Sequence, residues 1–107
     1  MSRKMLEQLL KELKSGLAAL YGSRLCCVYM FGSYARGEQD AESDLDILII
    51  LSHYGRYSTE IERTGELVST LSLKYGISIS RKFITESQWA TVDSALLRNV
   101  RAEAIAA

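Results

Sequence analysis

The sequence predicts an α+β fold, a small mixed β-sheet with flanking helices in the order α-β-α-β-α-β-α. Three observations carry this. Leucines recur at helical spacing through the opening stretch; residues 25–31 and 45–51 are near-continuous apolar runs; and two further helical stripes flank an alternating run at 77–84. The chain has 107 residues, 48% hydrophobic and 24% charged, which is room for one domain, 1–107, with one core.

Residues 2–21 read as an amphipathic helix. Met5, Leu6, Leu9, Leu10, Leu13, Leu17 and Leu20 form its apolar stripe, Ser2 caps its start and Gly22 stands where a C-terminal glycine belongs. Leu25–Phe31 is the first strand, expected to be buried on both faces. A glycine-serine turn and a short helix or loop follow, then a polar loop from Glu38 to Glu42 whose Asp40 and Glu42 read as solvated. Leu45–Leu51 is the second strand, central because it is apolar on both faces beyond Asp46. After a turn containing Gly55, Ser58–Tyr75 reads as a helix with Ile61, Val68, Leu71 and Tyr75 inward and Glu60, Glu62 and Glu66 on its wet face; Gly76 stops it. Ile77–Ile84 alternates and is the third strand. Thr85 and Gln88 form a capping box for a last helix that buries Trp89, Val92, Leu96, Leu97 and Val100. Its alanine-rich end, 98–107, is expected to fray.

Formal net charge is zero, so no bulk basic field exists to hold nucleic acid, and strong nucleic-acid binding is not expected. No apolar run approaches the roughly 20 residues that span a bilayer. Arg3 and Lys4 are followed by Glu7, Gln8 and Lys11, which is not a signal-peptide pattern, so the expected location is the cytoplasm and no membrane is involved. Cys26 and Cys27 are neighbours in a strand, point to opposite faces and cannot readily pair; they read as small buried hydrophobes. His53, the lone histidine, reads as a surface residue.

The chemistry concentrates between the first two strands. Gly32-Ser33-Tyr34-Ala35-Arg36-Gly37 follows the first, and Ser43-Asp44-Leu45-Asp46 leads into the second. Strand alternation sends Asp44 and Asp46 to one face, a ready site for a hard divalent cation that brings nucleotide phosphates with it. Two adjacent carboxylates on a core strand repel each other and are costly unless they share a cation. Gly32 lets the backbone approach a phosphate closely, while Ser33 offers a hydroxyl and an amide. Arg36 reads either as a phosphate contact or as a solvated charge.

This arrangement resembles the nucleotidyltransferase superfamily with the DNA polymerase β-like palm, and within it the minimal nucleotidyltransferases. The family pattern is Gly-Ser, ten residues, then Asp-x-Asp, matched here by Gly32-Ser33, Tyr34 through Ser43, and Asp44-Leu45-Asp46. Ala35-Arg36-Gly37 and Ser43 match the minimal family's embellishments. The resemblance implies a polymerase β palm-like fold, with Asp44 and Asp46 catalytic and holding Mg²⁺, up to two ions. It implies Gly32, Ser33, Arg36 and Ser43 as nucleotide-binding residues and ATP or another NTP as substrate. It further implies AMP transfer to a hydroxyl of a HEPN-domain toxin, with this chain as antitoxin; self-association is left open. One element of the family pattern is missing. The strand Ile77–Ile84 lacks the family's third carboxylate, and Glu86 is the nearest acid in sequence. An alternative therefore stands beside the enzyme, a catalytically weak or inactive nucleotide-binding antitoxin that neutralises its partner by contact.

Overall fold

Two helices and two strands settle where their leucines and isoleucines direct them. The computed structural model describes residues 1–107 and contains α1 (Arg3–Tyr21), β1 (Leu25–Phe31), α2 (Ser33–Arg36), β2 (Leu45–Leu51), α3 (Tyr57–Tyr75), β3 (Ile79–Thr85), α4 (Glu86–Thr91), α5 (Ala95–Glu103) and β4 (Ile105–Ala106). The sheet order is β3-β2-β1-β4, with β2 parallel to β3 and β1 antiparallel to both β2 and β4. Helices on both sides of a mixed sheet are the α+β architecture expected.

β2 is the strand the rest encloses. Leu45 and Ile47 through Leu51 are 0–1% exposed, whereas Asp46 between them is half-buried. Alternation divides the strand into two faces. Leu45, Ile47, Ile49 and Leu51 join Val28, Met30 and Phe83 beneath Leu9, Leu13, Leu17 and Tyr21 of α1 and Leu71 of α3. Leu48 and Ile50, on the Asp46 face, meet Phe31 and are covered by Val100 of α5 and Trp89 of α4. The α1–α3 side thus holds the main core, and the thinner α4–α5 side is where a carboxylate reaches the surface.

The local start and stop signals act as their chemistry requires. The Ser2 side chain accepts the Met5 N–H (3.1 Å), and Gly22 (φ 56°) ends α1. Thr85 and Gln88 exchange both capping-box bonds, 3.1 and 2.9 Å. His53 is exposed. No helix is long and apolar enough to cross a membrane.

Six expectations are corrected. Glu60 is not on the wet face of α3: it is 2% exposed, accepting the Tyr21 hydroxyl (2.6 Å) and the Arg63 guanidinium (3.0 Å). The buried stripe is Glu60, Thr64, Val68 and Leu71, and Tyr21 of α1 together with Arg63, one turn on in α3, makes the acid tolerable there. Met5 and Leu20 of α1 are 42% and 40% exposed, because the stripe that reaches the sheet is only Leu9, Leu13, Leu17 and Tyr21. The third strand starts at Ile79 rather than Ile77, where pairing with Leu45 begins. Cys26 is exposed: the register slips between Leu25 and Cys27, so Cys26 is the bulged residue of β1 and turns outward. The last helix is two helices, because Ser94 accepts the Leu97 N–H (3.2 Å) and starts α5 afresh, which leaves Val92 and Leu96 40% and 49% exposed. The alanine-rich end does not fray; Ile105 and Ala106 pair with Met30 and Tyr29 and add a fourth strand.

Candidate functional site

β1 ends and β2 begins at the same end of the sheet, since the two run antiparallel and Phe31 pairs with Asp46. The turn after Phe31 therefore meets the aspartates. Gly32 has φ 74° and ψ −155°, and a Cβ placed on it would stand 3.1 Å from Cγ and 3.4 Å from Cβ of Asp46, with the Oδ2 closer still. Only glycine lets the turn lie directly on that carboxylate. Ser33 opens α2, whose backbone closes through Ala35 and Arg36 N–H bonds to the Gly32 carbonyl, both 3.1 Å. Asp44, exposed, sits one residue before β2; Asp46 is on it.

Burial pushes the Asp46 carboxyl above the usual carboxylate range and Asp44 pushes it further, while Lys82 and Arg36 pull the other way. The two carboxylates are close enough to repel. That donor set, two hard oxygen ligands at the mouth of a rigid strand, fits Mg²⁺, which takes one or two carboxylates and completes its shell with phosphate oxygens and water.

Ser43 has a local task. Its hydroxyl accepts the Asp40 N–H (3.0 Å) and donates to Asp40 Oδ1 (3.3 Å), closing the 40–43 loop just ahead of Asp44. Arg36 is neither a free charge nor open: it pairs with Glu38 (3.3 Å) and with Glu103 (2.9 Å).

Two residues of this neighbourhood went unnoticed in the sequence. Parallel pairing sets Ser80 opposite Asp46, so Lys82, two residues on, shares that face. Alternation through Ser78 and Ser80 was the available signal, and it needed only one more step. Glu103 had no local signal. It reaches the turn from the end of α5, where Oε1 accepts the Gly32 N–H (3.1 Å) and Oε2 meets Arg36. The Arg36 guanidinium beside it, with the Gly32 N–H, holds its carboxyl below the usual range against the opposing effect of burial.

Glu86 cannot serve the site. It follows the last residue of β3, six positions beyond Ser80 and so about 20 Å along the strand direction. There it accepts a hydrogen bond from the Cys26 thiol and pushes that thiol's pKa up to about 11. No carboxylate on β3 faces Asp46.

None of the surface cavities is lined by Gly32, Ser33, Arg36, Asp44 or Asp46. The largest, about 710 Å³, lies between α1 and α3 with Lys11, Glu12, Lys74 and Tyr75 on its walls, away from the Asp46 face. The aspartates occupy an open shelf at the sheet's end.

Comparison with known proteins identifies the family. The family model described as a nucleotidyltransferase domain matches residues 2–98. A Methanocaldococcus jannaschii protein, "Putative protein adenylyltransferase MJ0141", is 38% identical over 73 residues, 68% of this chain and 73% of that one. Among solved structures, a minimal nucleotidyltransferase (so described with the qualifier "putative") superposes with TM-score 0.57 at 29% identity, over 94% of this chain and 93% of that one. A toxin–antitoxin crystallised with AMP-PNP superposes with TM-score 0.58 at 18% identity, over 99% and 72%, a likeness of fold. With both motifs at one sheet end and nearly the whole chain matched, this protein belongs to the nucleotidyltransferase family.

Proposed function

We propose that this nucleotidyltransferase moves AMP from ATP onto a hydroxyl of a partner protein, as the antitoxin of a pair whose toxin is a HEPN-domain protein, in the cytoplasm. The observation that carries the reading is the direct packing of the Asp46 carboxylate on the Gly32 backbone, which joins a phosphate seat to a metal seat. Relatives named as protein adenylyltransferases and a toxin–antitoxin of the same fold support the acceptor and the pairing.

Asp44 and Asp46 are the residues to hold Mg²⁺, which when bound neutralises charge on the triphosphate and the departing pyrophosphate. Gly32 and Ser33 hold the β- and γ-phosphates through N–H and hydroxyl, and Arg36 balances their charge. Lys82 supplies a second cation on the Asp46 face. Ser43 acts at one remove, fixing the loop that delivers Asp44. The acceptor hydroxyl attacks the α-phosphorus in line, and the bond to pyrophosphate breaks. β3 carries no acid to take that hydroxyl's proton, which passes to solvent water instead, and a missing general base costs about 10²–10⁴-fold, which leaves a slow transferase.

That same vacancy on β3, Ser80 and Lys82 where an acid would stand, favours a second reading in which the chain binds nucleotide and silences its partner by contact alone. Intact-mass spectrometry separates the two. The neighbouring gene's product is incubated with this chain, Mg²⁺ and each NTP, with Asp44→Asn/Asp46→Asn as control. A nucleotide-sized gain that the control abolishes is expected. No gain, with a stable complex formed by both versions, would overturn the transferase and leave the binding antitoxin.

A further inference from the structure

We infer that Glu103 is a self-supplied anion lodged on the Gly32–Ser33 turn, which a triphosphate has to displace before it can bind. The inference rests on reading that turn as the triphosphate seat. Its observation is separate: one carboxylate already engages two of the three groups assigned to phosphate, the Gly32 N–H at 3.1 Å and the Arg36 guanidinium at 2.9 Å.

Glu103 has no reason of its own helix to be there. It is the last residue of α5, where an acid faces the negative end of the helix dipole and is disfavoured. Contacts to residues about 70 positions away offset that disadvantage, so the position is defined by the turn rather than by α5. The Glu103 side chain is only 24% exposed, against 42% for Arg36, as expected of a group seated on the turn.

The attachment is also built to let go. Beyond Glu103 the chain is held by the Ala104 N–H to the Val100 carbonyl, a two-residue strand with both residues exposed, the Ala107 N–H to the Val28 carbonyl, and the Lys14 ammonium donating to the carbonyl of a half-buried Ala107 (3.1 Å). Val100 alone of this segment is deep in the core. Glu103 can therefore swing off the turn by freeing β4 from β1, while β1–β3 and Val100 of α5 keep their packing. A bound triphosphate then takes the N–H and the guanidinium that Glu103 gives up. When the competent state is only fractionally populated, apparent affinity falls by that fraction. A charge-assisted contact of this kind corresponds to about a tenfold reduction.

The test is titration calorimetry of ATP with Mg²⁺, and of inorganic tripolyphosphate, into the wild type, Glu103→Gln and Glu103→Ala. Both variants are expected to bind both probes about tenfold more tightly, with circular dichroism melts confirming that they fold. Hydrogen exchange of amides 104–107 in the wild type is expected to speed up when ATP is added. Equal or weaker binding by both variants would overturn the inference while leaving the phosphate seat intact. If wild type and variants alike bind neither probe, the seat itself is wrong, and this inference falls with it. Should the variants fail to fold, the wild type decides alone: exchange at 104–107 unchanged by ATP at saturation overturns the proposal.

Discussion

Replacing Gly32 with alanine asks two separate things of the turn, and the structure lets them be measured apart. The first is backbone strain. At φ 74° and ψ −155° the residue occupies a region open essentially to glycine alone, at about 1–3 kcal/mol for any other residue. The second is the new methyl, which would stand 3.1 Å from Asp46 Cγ and closer to its Oδ2, so the carboxylate must leave its rotamer at about 0.5–1.5 kcal/mol more. Together these lower stability by about 1.5–4.5 kcal/mol, which in a domain of this size is a fall in Tm of about 7–20 °C. Urea denaturation of a double-mutant cycle isolates the second part. In an Asp46→Ala background the methyl meets no carboxylate, and Gly32→Ala should cost about 0.5–1.5 kcal/mol less than in the wild type. Gly37→Ala sets a lower bound on the strain, since at φ 71° and ψ 23° it lies in the milder αL region and a Cβ would meet nothing within 4 Å. If Gly32→Ala cost the same in both backgrounds, the claim that the turn rests on the Asp46 carboxylate would be refuted.

Two further outcomes follow from the titrating groups. Asp46 is pushed up by burial and then by Asp44, so its contribution to stability is full below the usual aspartate value and is lost as pH rises through the raised one; Asp46→Asn should therefore melt on the order of a few °C above wild type at pH 7, converge with it in acid, and fail to bind ATP with Mg²⁺ by calorimetry. For Glu60 the sign is opposite. Burial pushes its carboxyl up, but the Tyr21 hydroxyl with Arg63 and Arg24 outweighs this, so its stabilisation is present above about pH 4.3 and disappears as pH falls through the lowered value. Glu60→Gln should lose about 1.5–3 kcal/mol at pH 7 and approach the wild type near pH 3, read from urea midpoints across pH.

What could be read from the sequence was whatever neighbouring residues decide among themselves. Ser2, the Thr85–Gln88 box, and Gly22 and Gly76 act within one helical turn, and each ended or began its helix where expected. The Gly-Ser and Asp-x-Asp motifs share a single β1–α2–β2 passage, so their meeting needed only the antiparallel return of the chain. The misses belong to decisions made across the fold. Glu60 is buried because Tyr21, 39 residues away, gives it a donor. Cys26 turns outward because β1 carries one residue more than β2 over that span, which composition cannot show. Lys82 and Glu103 join the aspartates only once the β2–β3 register and the docking of α5 are known. Ser94 is the instructive intermediate case. It is a capable N-cap in plain view, hidden by an apolar spacing from Trp89 to Val100 that suits one long helix as well as two short ones.

The open shelf at the sheet's end has a consequence for fidelity. An enzyme whose reacting atoms lie in a closed cleft keeps solvent from competing with the intended nucleophile. With Asp44 exposed and no cavity around the pair, this chain has no wall of its own to exclude hydrolysis. For a nucleotidyltransferase so constructed, discrimination against water is completed by the acceptor, whose own surface has to close over the nucleotide as it docks. With the protein acceptor proposed above, commitment to transfer is a property of the encounter between two proteins, and a nucleotide held by the unaccompanied chain stays wet.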